Sequence, residues 1–435
     1  MAVSPAEQPI RLVVRDGDLA RRRLTVFFRL ILAIPIFVWL LLWGIAAFVA
    51  AFVLWLGILI NGEPPESLHA FVAGYLRYWA HVTAYVFLAA DPWPGFRGST
   101  EYPVDLEIAP PTRQSRWKTL FRLFLALPAI LLASTLGGAP GEGGWQFGSY
   151  NGHGHGSEWR AWGGVGGVAA ICAFLTWFYA LARRRAPRGL RDLVAYSVSY
   201  AAQASGYLLL LTDRYPRSDP AQAEEWAELP PHPVRMVVDD PLERSRLTVF
   251  FRLLLAIPHL IWLVLWAVAA FFAAVAAWFA ALATGAVPTS LHRFLAAFVR
   301  YGTHVYAYLG LVGGRFPGFV GREGTYGIDL QIDPPQRQSR WVTLFRFFLA
   351  LPAFFVATAL EGAFFVAAFL SWWYSLVTGR APEGLRNLGA VCLRYGAQTN
   401  AYFLLLTPRY PSASPLLQPH ELPPATELTA LGEPY

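Results

Sequence analysis

Cysteine, lysine and methionine are scarce in this 435-residue chain: two Cys, two Met, and Lys118 as the sole lysine. Charge is scarce as well, at 14% of residues against about 25% in ordinary soluble domains. Two cysteines exclude a disulfide-built scaffold and a thiolate metal cluster. No Gly-rich loop carries a lysine, which excludes a Walker-type phosphate site. No Ser-His-Asp or Cys-His arrangement has a local signature. No catalytic residue, cofactor, metal or nucleic-acid partner is therefore expected, and the protein is read as non-enzymatic.

What is present points to lipid as the solvent. Hydrophobic residues make up 55% of the chain, with 17 Trp, 31 Phe and 19 Tyr, and the net charge is +7. After Arg21, Arg22 and Arg23, an apolar run extends over residues 24–60, interrupted by the single charge of Arg29. A cleaved signal has a core of only about 7–15 residues. As one helix the run would be ~55 Å long, against a hydrocarbon thickness of ~30 Å.

The chain repeats itself. Arg23-Leu-Thr-Val-Phe-Phe-Arg29 recurs as Arg116-Trp-Lys-Thr-Leu-Phe-Arg122, as Arg246-Leu-Thr-Val-Phe-Phe-Arg252 and as Arg340-Trp-Val-Thr-Leu-Phe-Arg346. A proline follows each at the same distance: Pro35, Pro128, Pro258 and Pro352. Units one and three resemble each other most, as do two and four, so a doubled unit was doubled again. Each unit opens on a short alternating segment (Ile10, Leu12, Val14; Val104, Leu106, Ile108; Val234, Met236, Val238; Ile328, Leu330, Ile332), the pattern of a half-buried strand. Arg11 and Arg235 stand where the alternate units carry Asp105 and Asp329. Opposite charges favour pairing of unlike units, with Arg11 near Asp105 and Arg235 near Asp329.

In unit two, a Gly-rich polar insert at 137–164 divides the apolar run. Such a segment is excluded from hydrocarbon, because its backbone groups would go unsatisfied. It aligns with Trp43-Gly44, Trp266-Ala267 and Glu361-Gly362. Each run is accordingly read as a transmembrane helical hairpin with its tip there. The rival reading makes the first leg an interfacial helix and the second the only crossing.

A third element follows in each unit, with a polar stripe: Arg77 and His81, Arg300 and His304, Arg394 and Gln398. These spacings place the stripe on one helix face. It suits an amphipathic helix lying in the interface, or a membrane-spanning helix whose stripe faces a polar interior. The expected fold is thus mainly α and integral to a membrane: four pseudo-repeats of strand, transmembrane hairpin and third helix, with a small cytoplasmic β-sheet.

The divisions fall at 1–98, 101–216, 233–320 and 326–411, with an acidic linker at 217–232 and a disordered tail at 412–435. Arginine placement puts both termini and the strands in the cytoplasm and the insert on the far side. An arrangement with alternate units inverted is disfavoured because it loses the charge asymmetry.

The segments from Pro233-Val-Arg-Met-Val and Ser245-Arg-Leu-Thr-Val-Phe-Phe-Arg-Leu-Leu-Leu-Ala-Ile-Pro-His259 to Trp278-Phe-Ala-Ala-Leu-Ala-Thr-Gly285 resemble an uncharacterised bacterial multi-pass membrane family, catalogued as domain of unknown function 4389. The resemblance extends through all four units, with Trp117, Trp341, Ala129 and Ala353 as departures. It implies an integral membrane protein and brings no activity or functional residues.

Arg29, Arg122, Arg252 and Arg346 lie just inside the apolar runs, where a long side chain can snorkel to anionic lipid headgroups. They are the candidate lipid contacts, with topology setting as the plainer alternative. Gly152-His-Gly-His-Gly156 is read as a solvated loop rather than a metal site. Membrane lipids are the expected partners. The leading function is a membrane-organising or scaffold module; the alternative is a transporter or channel with the polar stripes lining a path.

Overall fold

The computed structural model describes residues 8–15, 17, 19–98, 101–137, 167–220 and 232–417. They form two compact units, Met1–Arg217 and Ser218–Tyr435, each built from two repeats.

The first unit runs β1 (Ile10–Val14), α1 (Arg23–Asn61), α2 (Glu66–Val86), β2 (Val104–Ile108), α3 (Arg116–Leu120), α4 (Arg122–Leu136), α5 (Val168–Arg183) and α6 (Arg188–Leu208). The second runs β3 (Val234–Val238), α7 (Arg246–Thr284), α8 (Thr289–Leu309), β4 (Ile328–Ile332), α9 (Arg340–Leu344), α10 (Arg346–Thr378) and α11 (Glu383–Phe403). Helices α1, α7 and α10 are long and apolar enough to cross a membrane.

These long helices correct the hairpin expectation. At the expected tip, Trp43 stacks on Tyr78 with ring centroids 5.4 Å apart, and Trp266 on Tyr301 at 5.3 Å. A Cβ on Gly44 would lie 3.2 Å from the Tyr75 hydroxyl. The glycine therefore lets α2 approach α1 and makes no turn. The helix ends instead at Gly62, in the left-handed conformation at φ 79°, and Gly285 and Gly379 do the same for α7 and α10. In the second repeat, α4 and α5 both pack along α6 and together take the place of the long helix. The expected insert lies, apart from Gly137, outside the described residues.

Strands of unlike repeats pair, as charge suggested, but in two separate two-stranded antiparallel sheets, β1–β2 and β3–β4. The register departs from the expected charge pairs. Arg11 faces Glu107 and Arg235 faces Gln331, while Asp105 and Asp329 lie opposite Val13 and Val237. Both aspartates are buried and turned toward the third helices. Arg235 pairs with Asp333 at 2.9 Å.

The two repeats of a unit run in opposite directions. Trp55, near the end of α1, donates its indole N–H to the Thr119 carbonyl at 3.1 Å, and Trp177 of α5 donates to Val26 at 3.1 Å. Trp278 to Thr343 (3.0 Å) and Trp372 to Val249 (3.1 Å) repeat the exchange in the second unit. The end of one long element thus meets the start of the other. Within each unit the alternate repeats are therefore antiparallel along their helix axes.

The buried faces of the long helices are rich in small residues. The buried face of α7 carries Ala256, Ala270, Ala277 and Ala281, and that of α10 carries Ala350, Ala353, Ala357, Ala363 and Ala367. Large side chains point outward: Leu247, Phe250, Leu253, Phe271, Phe272 and Phe279 are all more than half exposed. A helix with alanine inside and leucine and phenylalanine outside follows membrane packing rather than soluble packing.

Candidate functional site

The recurring arginine of each repeat is swallowed by the protein. Arg29, Arg122, Arg252 and Arg346 are 2–3% exposed, and each grips the C-terminal end of the third helix in its own repeat. Arg346 donates to the carbonyls of Tyr402 (2.6 Å) and Thr407 (2.9 Å) and to the Gln338 side-chain oxygen (2.7 Å). Arg122 repeats this with Tyr207, Thr212 and Gln114, at 2.7, 2.9 and 2.9 Å, and adds Asp213 at 2.9 Å. Arg29 holds the carbonyls of Tyr85 and Ala90 and the Asp91 carboxylate; Arg252 holds those of Tyr308 and Gly313. Each guanidinium also lies over the tyrosine ring of that helix end, 4.4–4.7 Å from the centroid.

The gripped helix ends share an uncommon conformation. Leu88, Leu210, Leu311 and Leu405 have φ between 59° and 65°, a region that costs a non-glycine residue roughly 1–3 kcal/mol. Burial of the leucine side chain, 2–4% exposed in each, offsets that strain. A second donor secures the turn from two residues before each repeat motif. Arg21 and Arg244 reach the Leu88 and Leu311 carbonyls, while Gln114 and Gln338 reach Leu210 and Leu405 at 2.7 and 2.6 Å. Sequence reasoning missed this position, although its alternation of Arg, Gln, Arg, Gln at a constant offset was visible.

The polar stripes are also turned inward. His81 bonds Asp105 at 2.8 Å through Nε2, and Arg77 donates to the Leu106 carbonyl at 3.0 Å, so the stripe of α2 fastens that helix to β2. His304 and Asp329 (2.7 Å), with Arg300 and the Leu330 carbonyl (2.8 Å), do the same for α8 and β4. Arg394 holds the carbonyls of Ser414 and Leu416, and Gln398 donates to Val234 at 2.9 Å. The start of the expected disordered tail, through Leu417, is thereby docked on α11. Burial disfavours the charged His81 ring and lowers its pKa, against the pull of Asp105. Burial would raise the Asp329 pKa. The His304 ring and the N–H groups of Gly324 and Leu330 outweigh it and hold the carboxyl below its usual range.

Two kinds of surface stay open. One is apolar: eighteen of the 39 residues of α1 are large hydrophobic side chains exposed on its outer face, from Leu24 to Ile60. The largest apolar patch on a typical soluble monomer is ~300–600 Å². The other is basic and sits at both ends of the long helices. Backbone bonds from Arg21 to Arg184 and from Ala186 to Leu19 bring the exposed Arg22 and Arg23 beside the exposed Arg183 and Arg184. At the other end, the bond from Gln114 to Gly62 places the exposed Arg113, Arg116 and Lys118 beside the close of α1. Among the described residues no group of three or more His, Cys, Asp or Glu is placed to hold a metal ion. The Gly152–Gly156 histidines lie outside those residues.

The family described as Domain of unknown function (DUF4389) matches this chain four times, at residues 23–96, 159–218, 246–320 and 340–414. No curated protein and no solved structure matches it.

Proposed function

The chain belongs to the DUF4389 family, and from that premise we propose that it is a non-enzymatic inner-membrane protein that organises the bilayer around it. The single observation that carries this reading is the inside-out packing of α1, α7 and α10, whose buried faces are rich in alanine while most of their large apolar side chains are turned outward. At roughly 25 cal/mol per Å², transferring such a face from water to acyl chains is worth tens of kcal/mol. Both termini and the sheets lie on the cytoplasmic side in this proposal, where arginine placement puts them.

Anionic lipid headgroups are the proposed partners, contacted by the exposed arginines at the helix ends. Arg29, Arg122, Arg252 and Arg346 bind backbone carbonyls within the protein, so the headgroup role passes from them to Arg22, Arg23, Arg116 and their neighbours. The transporter alternative needs polar stripes facing an open path. The stripe residues Arg77, His81, Arg300, His304, Arg394 and Gln398 are engaged with strands and loops of their own unit, which favours the scaffold. Alkaline carbonate extraction of membranes containing the full chain tests the reading. Retention in the membrane pellet is expected; release into the supernatant would overturn it.

A further inference from the structure

We infer that each unit is embedded in a single leaflet, with its long helices in the plane of the membrane, rather than crossing the bilayer in multi-pass fashion. The inference rests on the membrane reading above and concerns how the apolar face meets lipid.

Length is the first argument. The 39 residues of α1 and of α7 make helices of ~58 Å at about 1.5 Å per residue. Exposed apolar side chains run along the whole of α1, from Leu24 at 75% to Ile60 at 69%. To confine that length to a hydrocarbon layer of ~30 Å, a straight helix would tilt by roughly 60°, beyond the 0–40° that crossing helices adopt. Upright, the helix would leave about half of its Leu, Phe and Ile in water. In the plane, a helix ~10 Å thick fits the acyl layer of one leaflet, ~15 Å deep.

Charge is the second argument. Because the repeats are inverted, the start of α1 carries Arg22, Arg23, Arg183 and Arg184, and its end lies beside Arg113, Arg116 and Lys118. A crossing helix would send one of these basic groups to the far side, against the bias that keeps arginine in the cytoplasm. A helix lying flat keeps both groups at the same headgroup layer.

The sheet is the third argument. β2 lies against the middle of α2, through His81 to Asp105 and Arg77 to Leu106. Among the described residues it has one neighbouring strand, and it carries the exposed Glu107 opposite the exposed Arg11. On upright helices this two-stranded sheet would sit at hydrocarbon depth, which irregular and edge backbone does not tolerate against lipid. The stripe that binds it is about a quarter-turn round α2 from Phe71, Tyr75 and Tyr78, the face that meets α1. With the long helices flat, the sheet is free to face water.

Full-length protein with Cys172→Ala and Cys392→Ala, bearing a single spin label at Leu30→Cys, Phe48→Cys or Ile60→Cys and reconstituted in phosphatidylcholine–phosphatidylglycerol vesicles, reads the depth of each site. The three labels are expected at similar shallow depths, ~5–10 Å below the headgroups. A steady progression from one headgroup layer through the bilayer centre to the other would overturn the inference. Maleimide labelling in cells provides a second reading, with Arg22→Cys and Glu63→Cys bracketing α1. An impermeant reagent is expected to leave both sites unlabelled from outside and to label both in inside-out vesicles. Labelling of one of the two from outside would establish a crossing. Both outcomes differ from loss of the protein from the membrane on carbonate treatment, which would defeat the membrane reading itself.

Discussion

Replacing Arg346 by methionine isolates the contribution of an arginine clamp. Among the described residues no carboxylate is bonded to this guanidinium: its partners are the Tyr402 and Thr407 carbonyls, the Gln338 oxygen and the Tyr402 ring. The substitution therefore leaves no orphaned charge behind. It leaves polar acceptors short of a donor in a buried place, at ~1–3 kcal/mol each, and removes a desolvated cation–π contact of ~1–2 kcal/mol. Relief from burying the guanidinium offsets part of that loss. A net destabilisation of ~3 kcal/mol follows, which for a folding unit of about 200 residues lowers Tm by roughly 6–12 °C. Thermal unfolding of the purified full-length protein in detergent measures it. Arg340→Met is the control: that side chain is exposed and makes one carbonyl bond, to Ala283 at 2.9 Å, so a shift within ~1 kcal/mol is expected. If Arg346→Met unfolded within about 2 °C of wild type and lost anionic lipid, the clamp would be wrong and the arginine would be a headgroup ligand.

Tyr308→Phe should be neutral or slightly stabilising in the same melts, because the buried Tyr308 hydroxyl has no hydrogen-bond partner among the described residues. Tyr308→Leu should cost ~1–2 kcal/mol by removing the ring beneath Arg252. His232 gives a pH signature. Burial, aided by Arg409 and Arg394, pushes its pKa down to about 4, against about 6.5 unfolded. Its contribution is complete above pH ~6.5 and is lost as pH falls toward 4, up to ~3 kcal/mol in all. Denaturation series across that window should flatten in His232→Asn, and an unchanged slope would count against the assignment. Finally, Gln at Arg22, Arg183 and Arg184 should weaken phosphatidylglycerol retention in native mass spectrometry by up to about fivefold per site. Equal retention by mutant and wild type would remove these residues as lipid contacts.

The sequence by itself determined the fourfold unit, the strand of each repeat, the pairing of unlike strands and the apolar outer surface. These are properties of spacing and composition, in a chain of 55% hydrophobic residues. Other features were decided by tertiary structure alone. Gly44 in an apolar run looks the same as a turn or as a place where Tyr75 approaches; hydropathy does not register the neighbour. Arg29 at the head of that run looks the same whether it snorkels or caps another helix, since its carbonyl partners lie 56 and 61 residues away. In the second repeat the corresponding separations are 85 and 90 residues, so the grip survives an insertion between its two sides. The antiparallel course of the two repeats is recorded in Trp–carbonyl bonds between distant segments, and a linear sequence does not display which segments meet.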